Sequence, residues 1–175
     1  LNKNSSTGVD GENWYEYGIN AHERIPELLR RFKTGEYKAP LIRKAYIPKG
    51  DGAYRPLGIP TIEDKVLQAG VRTVLEPIYE LEFKDFSYGF RPGRGCREAV
   101  GRVEELLGEG RAWCVDVDLK SYFDTIDHER LMALVERRVT DGKVLKLIRM
   151  FLEQEIMEEE IPKKTKSSSR KRAAK

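Results

Sequence analysis

Two aspartates one residue apart, Asp116 and Asp118, stand inside the stretch Trp113-Cys114-Val115-Asp116-Val117-Asp118-Leu119-Lys120-Ser121-Tyr122-Phe123-Asp124. A short apolar run studded with β-branched valines predicts a buried strand. Strand alternation sets Trp113, Val115, Val117 and Leu119 on one face and Cys114, Asp116 and Asp118 on the other. Two carboxylates on one side of an apolar strand are costly unless positive charge faces them. A divalent cation meets that need, and Mg²⁺ is commonly held by one or two carboxylates plus substrate phosphates. A pair of aspartates at a solvated, salt-bridged strand end fits the spacing at least as well.

Two groups of cations could act on phosphate. Lys49 and Arg55 flank Pro48-Lys49-Gly50-Asp51-Gly52-Ala53-Tyr54, which joins the strand candidates 44–47 and 55–59. Two glycines and an aspartate in that connection predict a hairpin, so Lys49 at one shoulder and Arg55 on the return strand could reach a shared ligand. A solvated hairpin tip with incidental charges is the competing reading. Arg91 and Arg94 lie in the loop Phe86-Ser87-Tyr88-Gly89-Phe90-Arg91-Pro92-Gly93-Arg94-Gly95. Interleaved aromatics and arginines suit base stacking and phosphate contact, and equally a packed turn.

The elements that must position these residues are mostly helical. Residues 1–13 read as a loop with Gly8 and Gly11. Ile19, Ile25, Leu28, Leu29 and Phe32 predict an amphipathic helix over about 18–32, with Pro26 inside it and Gly35 stopping it. Thr61 is placed to cap a helix running to about Ile78, with Glu63 and Asp64 in its first turn. A further helix is expected over 96–107, leading through Gly108 and Gly110 into the aspartate strand. Asp127 can cap a helix carrying Leu131, Leu134, Val135 and Val139, and Gly142 separates it from another carrying Val144 to Leu152. Beyond about Glu160 the pattern dissolves into Lys/Ser/Arg low complexity.

Composition narrows the class. At 175 residues the chain is one ordinary domain or two small ones. It has no long apolar run and no signal-peptide pattern, so a soluble, cytoplasmic protein without membrane contact is expected. Cys96 and Cys114 lack disulfide or zinc spacing. The formal charge of +3 is unevenly placed: residues 163–175 hold seven Lys/Arg and no acid, residues 30–102 hold 15 Lys/Arg against 9 Asp/Glu, and residues 103–162 hold 8 against 15. A basic half before an acidic half fits a polyanion grip beside a metal site, and also ordinary surface variation.

Three segments in order resemble the reverse transcriptases encoded by bacterial group II introns. The first is Tyr46-Ile47-Pro48-Lys49-Gly50-Asp51-Gly52 continuing through Arg55-Pro56-Leu57-Gly58-Ile59-Pro60-Thr61 to Asp64 and Gln68. The second is Ser87-Tyr88-Gly89-Phe90-Arg91-Pro92-Gly93-Arg94, and the third runs from Asp116 to His128. Gly8-Val9-Asp10-Gly11 resembles the family's entry into its fingers. The match covers roughly residues 7–157 and fades thereafter.

The resemblance implies an α+β, partial right-hand polymerase fold: fingers over 1–112, an incomplete palm over 113–162, and a basic low-complexity tail over 163–175, expected to be disordered. It implies that Asp118 is the first catalytic aspartate, binding Mg²⁺ together with the backbone carbonyl of Leu119, with Asp116 the weaker ligand candidate. It implies that Lys49 and Arg55 clamp the incoming dNTP, that Phe123 is the gate against a ribose 2′-OH, and that Arg91 and Arg94 are template or structural residues. Implied partners are intron RNA, an RNA template with a DNA primer, dNTPs, and a second chain supplying the rest of the palm. Nucleotidyl transfer would use two metal ions, with basic side chains neutralising the phosphate charge.

The family's aromatic-x-Asp-Asp turn, which would bring the remaining catalytic aspartates, has no counterpart, because no Asp-Asp pair occurs in the chain. Its template-supporting Gln-Gly segment, thumb and maturase domain are absent too. The chain is therefore expected not to polymerise by itself. Three readings stay open: part of an RNA-directed DNA polymerase that needs completion, a non-catalytic fingers module gripping intron RNA, or a degenerate remnant.

Overall fold

Asn13 opens the first helix by closing a capping box. Its side chain accepts from the backbone N–H groups of Tyr15 (2.9 Å) and Glu16 (3.1 Å), while Glu16 accepts from the Asn13 N–H at 2.8 Å. This computed structural model describes residues 3–48 and 53–157. The chain divides into two units, one holding the described residues up to Val66 and from Glu153 onward, the other Leu67–Leu152.

In the first unit, α1 spans Trp14–Ile19 and α2 spans Ala21–Thr34. The single helix expected over 18–32 is thus two, because Asn20 leaves helical geometry at φ −111°, ψ 21° and serves both as the end of α1 and the start of α2. Gly35 ends α2 in the left-handed region at φ +79°, where a side chain would be strained. The hairpin is present: β1 (Ile42–Pro48) pairs antiparallel with β2 (Tyr54–Ile59), from Arg43 opposite Ile59 to Pro48 opposite Tyr54. A short strand that periodicity does not reveal, β3 (Ile156–Met157), pairs parallel with the free edge of β1, giving the order β2-β1-β3. Tyr17, Leu28, Tyr37, Ile59 and Ile62 are buried here.

An N-terminal strap lies against this unit. Arg43 donates to the Thr7 carbonyl at 2.8 and 2.9 Å, and Lys65 donates to the Ser6 carbonyl at 2.7 Å. Gly8 passes so close to Thr61 that a Cβ would lie 2.7 Å from its backbone N and Cα.

Helix α3 spans Ile62–Glu80, and Thr61 begins it as expected, its hydroxyl accepting from the Asp64 N–H at 3.3 Å. In the second unit, α4 spans Cys96–Gly108, α5 spans His128–Val135 and α6 spans Gly142–Leu152. Asp127 caps α5 through the Arg130 N–H (3.0 Å), and Asp141 caps α6 through Lys143 and Val144. Leu67, Met132, Val139 and Leu147 are buried, whereas α4 buries no residue. Among the described residues, helices with one small sheet make a mixed helix-and-sheet arrangement, in keeping with an α+β class.

The expected buried strand at 113–119 requires correction. Residues 111–119 carry no regular secondary structure, and Trp113 is 98% exposed and Val117 77%. The alternation is that of a strand, but a strand forms only against a ladder partner, and no described segment pairs with this one.

Candidate nucleic-acid and nucleotide site

The hairpin brings one of its two expected cations into view. Arg55 lies on β2 opposite Ile47, exposed and with no side-chain hydrogen bond or ion pair among the described residues. Lys49 falls in residues 49–52, outside the described residues. Below Arg55 the ladder is braced by aromatics: Tyr46 and Tyr54 meet edge-on with ring centroids 6.4 Å apart, and the Lys44 ammonium sits 5.9 Å from the Tyr46 ring centre.

Of the two environments its loop allows, phosphate contact or packed turn, Arg91 sits in the packed one. Its guanidinium is buried: Nε donates to both Glu80 carboxylate oxygens (3.0 and 3.2 Å), Nη2 donates to Glu80 Oε1 (2.6 Å), and Nη1 donates to the carbonyls of Lys84 (2.8 Å) and Ser87 (2.9 Å). The fork is consumed within the protein and folds residues 80–91 around itself. The guanidinium pulls the Glu80 carboxyl below its ordinary range, and Glu80 in turn raises Arg91. Arg94 is half-buried, donates to the Asp85 carbonyl, and lies 5.8 Å from the Tyr88 ring centre. Just before Arg91, Phe90 is fully exposed at φ +58°, a left-handed backbone uncommon for a bulky residue.

Asp116 and Asp118 are exposed in the irregular segment 111–119. Ser121 then turns the chain at φ +50° into a one-turn 3-10 helix, Tyr122–Asp124, closed by the Asp124 N–H on the Ser121 carbonyl at 3.0 Å. Phe123 projects from it, 82% exposed, with its ring edge-on to Tyr122 at 5.5 Å. The spacing from Asp118 to Phe123 is thus realised as irregular chain followed by a tight turn.

Asp118 and the Leu119 carbonyl are oxygen donors of the kind Mg²⁺ prefers. They do not make a metal site by themselves: among the described residues, no three His, Cys, Asp or Glu side chains come together to hold an ion. No reaction step is therefore assigned to a metal on these residues alone.

One polar centre went unread in the sequence. The Asp64 carboxylate, fully buried in the first turn of α3, accepts from the Tyr37 hydroxyl on Oδ1 and from Gln154 Nε2 on Oδ2 at 2.8 Å. Burial pushes the Asp64 carboxyl up, opposed by these two hydrogen bonds, while burial and the Asp64 carboxylate push the Tyr37 phenol up, so it stays protonated and donating. Asp64 was visible as part of a motif. Its partner Gln154 carried no signal, because a lone glutamine after a helix is ordinary.

The sequence profile of reverse transcriptase (RNA-dependent DNA polymerase) matches residues 47–173. The chain belongs to the reverse transcriptase family. The profile includes the hairpin turn, the Arg91 loop and the Asp118 segment, and it runs past residue 157, where the resemblance was expected to fade. The chain is 40% identical over 139 residues to group II intron-encoded protein LtrA of Lactococcus lactis, covering 79% of this chain and 23% of that protein. It is 39% identical over 145 residues to protein YkfC of Escherichia coli, covering 81% of this chain and 38% of YkfC. An uncharacterised 91 kDa protein in the cob intron of Schizosaccharomyces pombe is 37% identical over 128 residues, covering 73% of this chain and 16% of that protein. The group II intron likeness read from the three motifs is borne out. The chain spans about a quarter of the length of LtrA. No described helix is long and apolar enough to cross a membrane.

Proposed function

We propose that this chain is the fingers and the opening of the palm of a group II intron reverse transcriptase, a right-hand polymerase, with fingers over 1–112 and palm over 113–162. In this reading it grips intron RNA or an RNA template with its DNA primer. It contributes Asp118 to a nucleotidyl-transfer site that other carboxylates must complete. The observation that carries the reading is the exposed run from Asp118 to Phe123, in which an acid and a backbone carbonyl precede the turn that presents Phe123 beside Tyr122, and Asp118 has no ion pair among the described residues.

The chain's own residues then have separate tasks. Arg55, with Lys49, binds the triphosphate of the incoming dNTP by charge-assisted hydrogen bonds. Phe123 bars a ribose 2′-OH by occupying its space. Arg94 contacts template phosphate, and Arg91 holds the loop that presents Arg94 and Phe90. Asp118 and the Leu119 carbonyl would hold Mg²⁺ once further carboxylates are supplied, and the ion would stabilise charge on the transferring phosphoryl group. A cytoplasmic location accords with work on intron RNA.

Adding the palm segment that follows the matched region in LtrA, fused or co-expressed, tests this reading. Primer extension on an RNA template is expected, and Asp118→Ala is expected to abolish it. A folded, completed protein without extension would overturn the catalytic part.

A second reading, an intron-RNA-binding module without catalysis, is favoured by the lack of converging metal ligands among the described residues. It keeps the RNA grip and predicts that binding survives Asp118→Ala.

A further inference from the structure

We infer that Asp64 is a positioning residue: its buried carboxylate clasps Gln154, holds the segment that leads into β3 (Ile156–Met157) against the sheet, and so fixes the hairpin that carries Arg55. The inference rests on the proposed function only for what Arg55 does; the clasp stands on geometry.

Gln154 is held from two sides. Its Nε2 donates to Asp64 Oδ2 at 2.8 Å and to the Pro40 carbonyl, which precedes β1. Turning the amide over would set its oxygen against a carboxylate and a carbonyl, so these two acceptors dictate its orientation. The amide oxygen is left buried without a partner among the described residues. Losing one acceptor to keep two donor contacts shows which side of the amide the fold needs.

The consequence reaches the sheet through the backbone. With Gln154 anchored, the next carbonyl, Glu155 O, accepts from the Ile42 N–H at 2.8 Å, and Ile156 and Met157 pair with Ile42 and Arg43. The opposite edge of β1 carries β2 and Arg55. An isolated two-stranded hairpin is marginal in water, and a third strand is what makes such a sheet persist. Asp64 is suited to this role because a buried carboxylate is tolerated only with donors in place. Here they come from residues 27 and 90 positions away, Tyr37 and Gln154. A shape-matched apolar side chain would fill the space without selecting Gln154.

The test is amide hydrogen exchange on the full chain, read at Ile42, with the α5 and α6 amides as internal controls. Gln154→Met keeps length and burial but removes both donor contacts, and Ile42 exchange is expected to accelerate about ten- to a hundredfold with the controls unchanged. Gln154→Glu sets carboxylate against carboxylate and should do the same or worse. Adding Asp64→Asn to Gln154→Glu restores a donor facing an acceptor, and should slow Ile42 exchange about tenfold relative to Gln154→Glu alone. That rescue would not follow from mere loss of packing. In RNA titrations, Arg55→Ala should cost less affinity in the Gln154→Met background than in the parent. Unchanged Ile42 exchange in Gln154→Met, or no rescue by the reciprocal pair, overturns the clasp. A parent chain that binds no RNA overturns the proposed function and leaves the exchange result to decide the clasp.

Discussion

Arg91 and Glu80 form a pair in which the arginine's Nε and Nη2 both engage one carboxylate while its third nitrogen, Nη1, holds the Lys84 and Ser87 carbonyls at 2.8 and 2.9 Å. The guanidinium is a pin for the turn between α3 and α4, and its charge is spent inside the protein. Arg91→Ala is therefore expected to lower the thermal midpoint clearly, and Arg91→Lys should not restore it, since an ammonium cannot reproduce the planar fork. Circular-dichroism melts of the two variants check this. A parent-like melt for both would remove Arg91 from the fold and return it to the surface.

The strap at the amino terminus depends on the absence of a side chain. Gly8→Ala would place a methyl 2.7 Å from the Thr61 backbone. The expected loss is about 1–3 kcal/mol, as for other overpacked sites. Urea unfolding should show a lower midpoint with an unchanged slope.

The pH dependence of stability should carry two opposed contributions. Glu27, Glu36, Glu80 and Glu129 are each pulled below their ordinary range by arginine partners (Arg30, Arg30, Arg91 and Arg149). They stabilise the fold above the ordinary carboxylate range, and that stability is lost as pH falls through their lowered values. Asp64 runs the other way. Burial raises it, with the acids Glu63 and Asp10 adding to the rise and Tyr37 and Gln154 opposing it. Between the ordinary aspartate value of 3.8 and its raised folded value, the folded chain holds a proton that the unfolded chain has released, so stability falls as pH rises through that window. Subtracting the Asp64→Asn profile from the parent profile isolates this slope. A difference that rises with pH would contradict the assignment.

The extended segment gives an optical prediction. Trp113 is 98% exposed. In a Trp14→Phe background its emission should be that of a solvated indole, readily quenched by iodide. If the completed palm supplies a strand beside residues 113–119, the emission should shift to the blue and quenching should fall. Val117→Lys should improve solubility of the isolated chain by breaking the exposed apolar row.

Much of this architecture was legible in local chemistry. Thr61, Asp127 and Gly35 announce helix ends through caps and a left-handed turn, and the run Gly50-Asp51-Gly52 in the sequence announces the hairpin. What was not legible depended on distant partners. The 113–119 alternation is the same whether or not a second strand is present, so sequence periodicity alone overstated its burial. Arg91 has the residue type of a phosphate contact, and only the fold reveals Glu80 and two carbonyls beneath it. Gln154 and the two-residue β3 are too short a signal for any periodicity, yet they complete the sheet under Arg55.

The central claim, an RNA grip by the folded body of a reverse transcriptase, is tested most directly by RNA affinity across a salt series, with and without residues 163–175. The account predicts binding that persists without the tail, weakens steeply with salt, and loses affinity and about one unit of salt slope with Arg55→Ala or Arg94→Ala. Affinity that disappears with the tail, leaving the body inert, would contradict it.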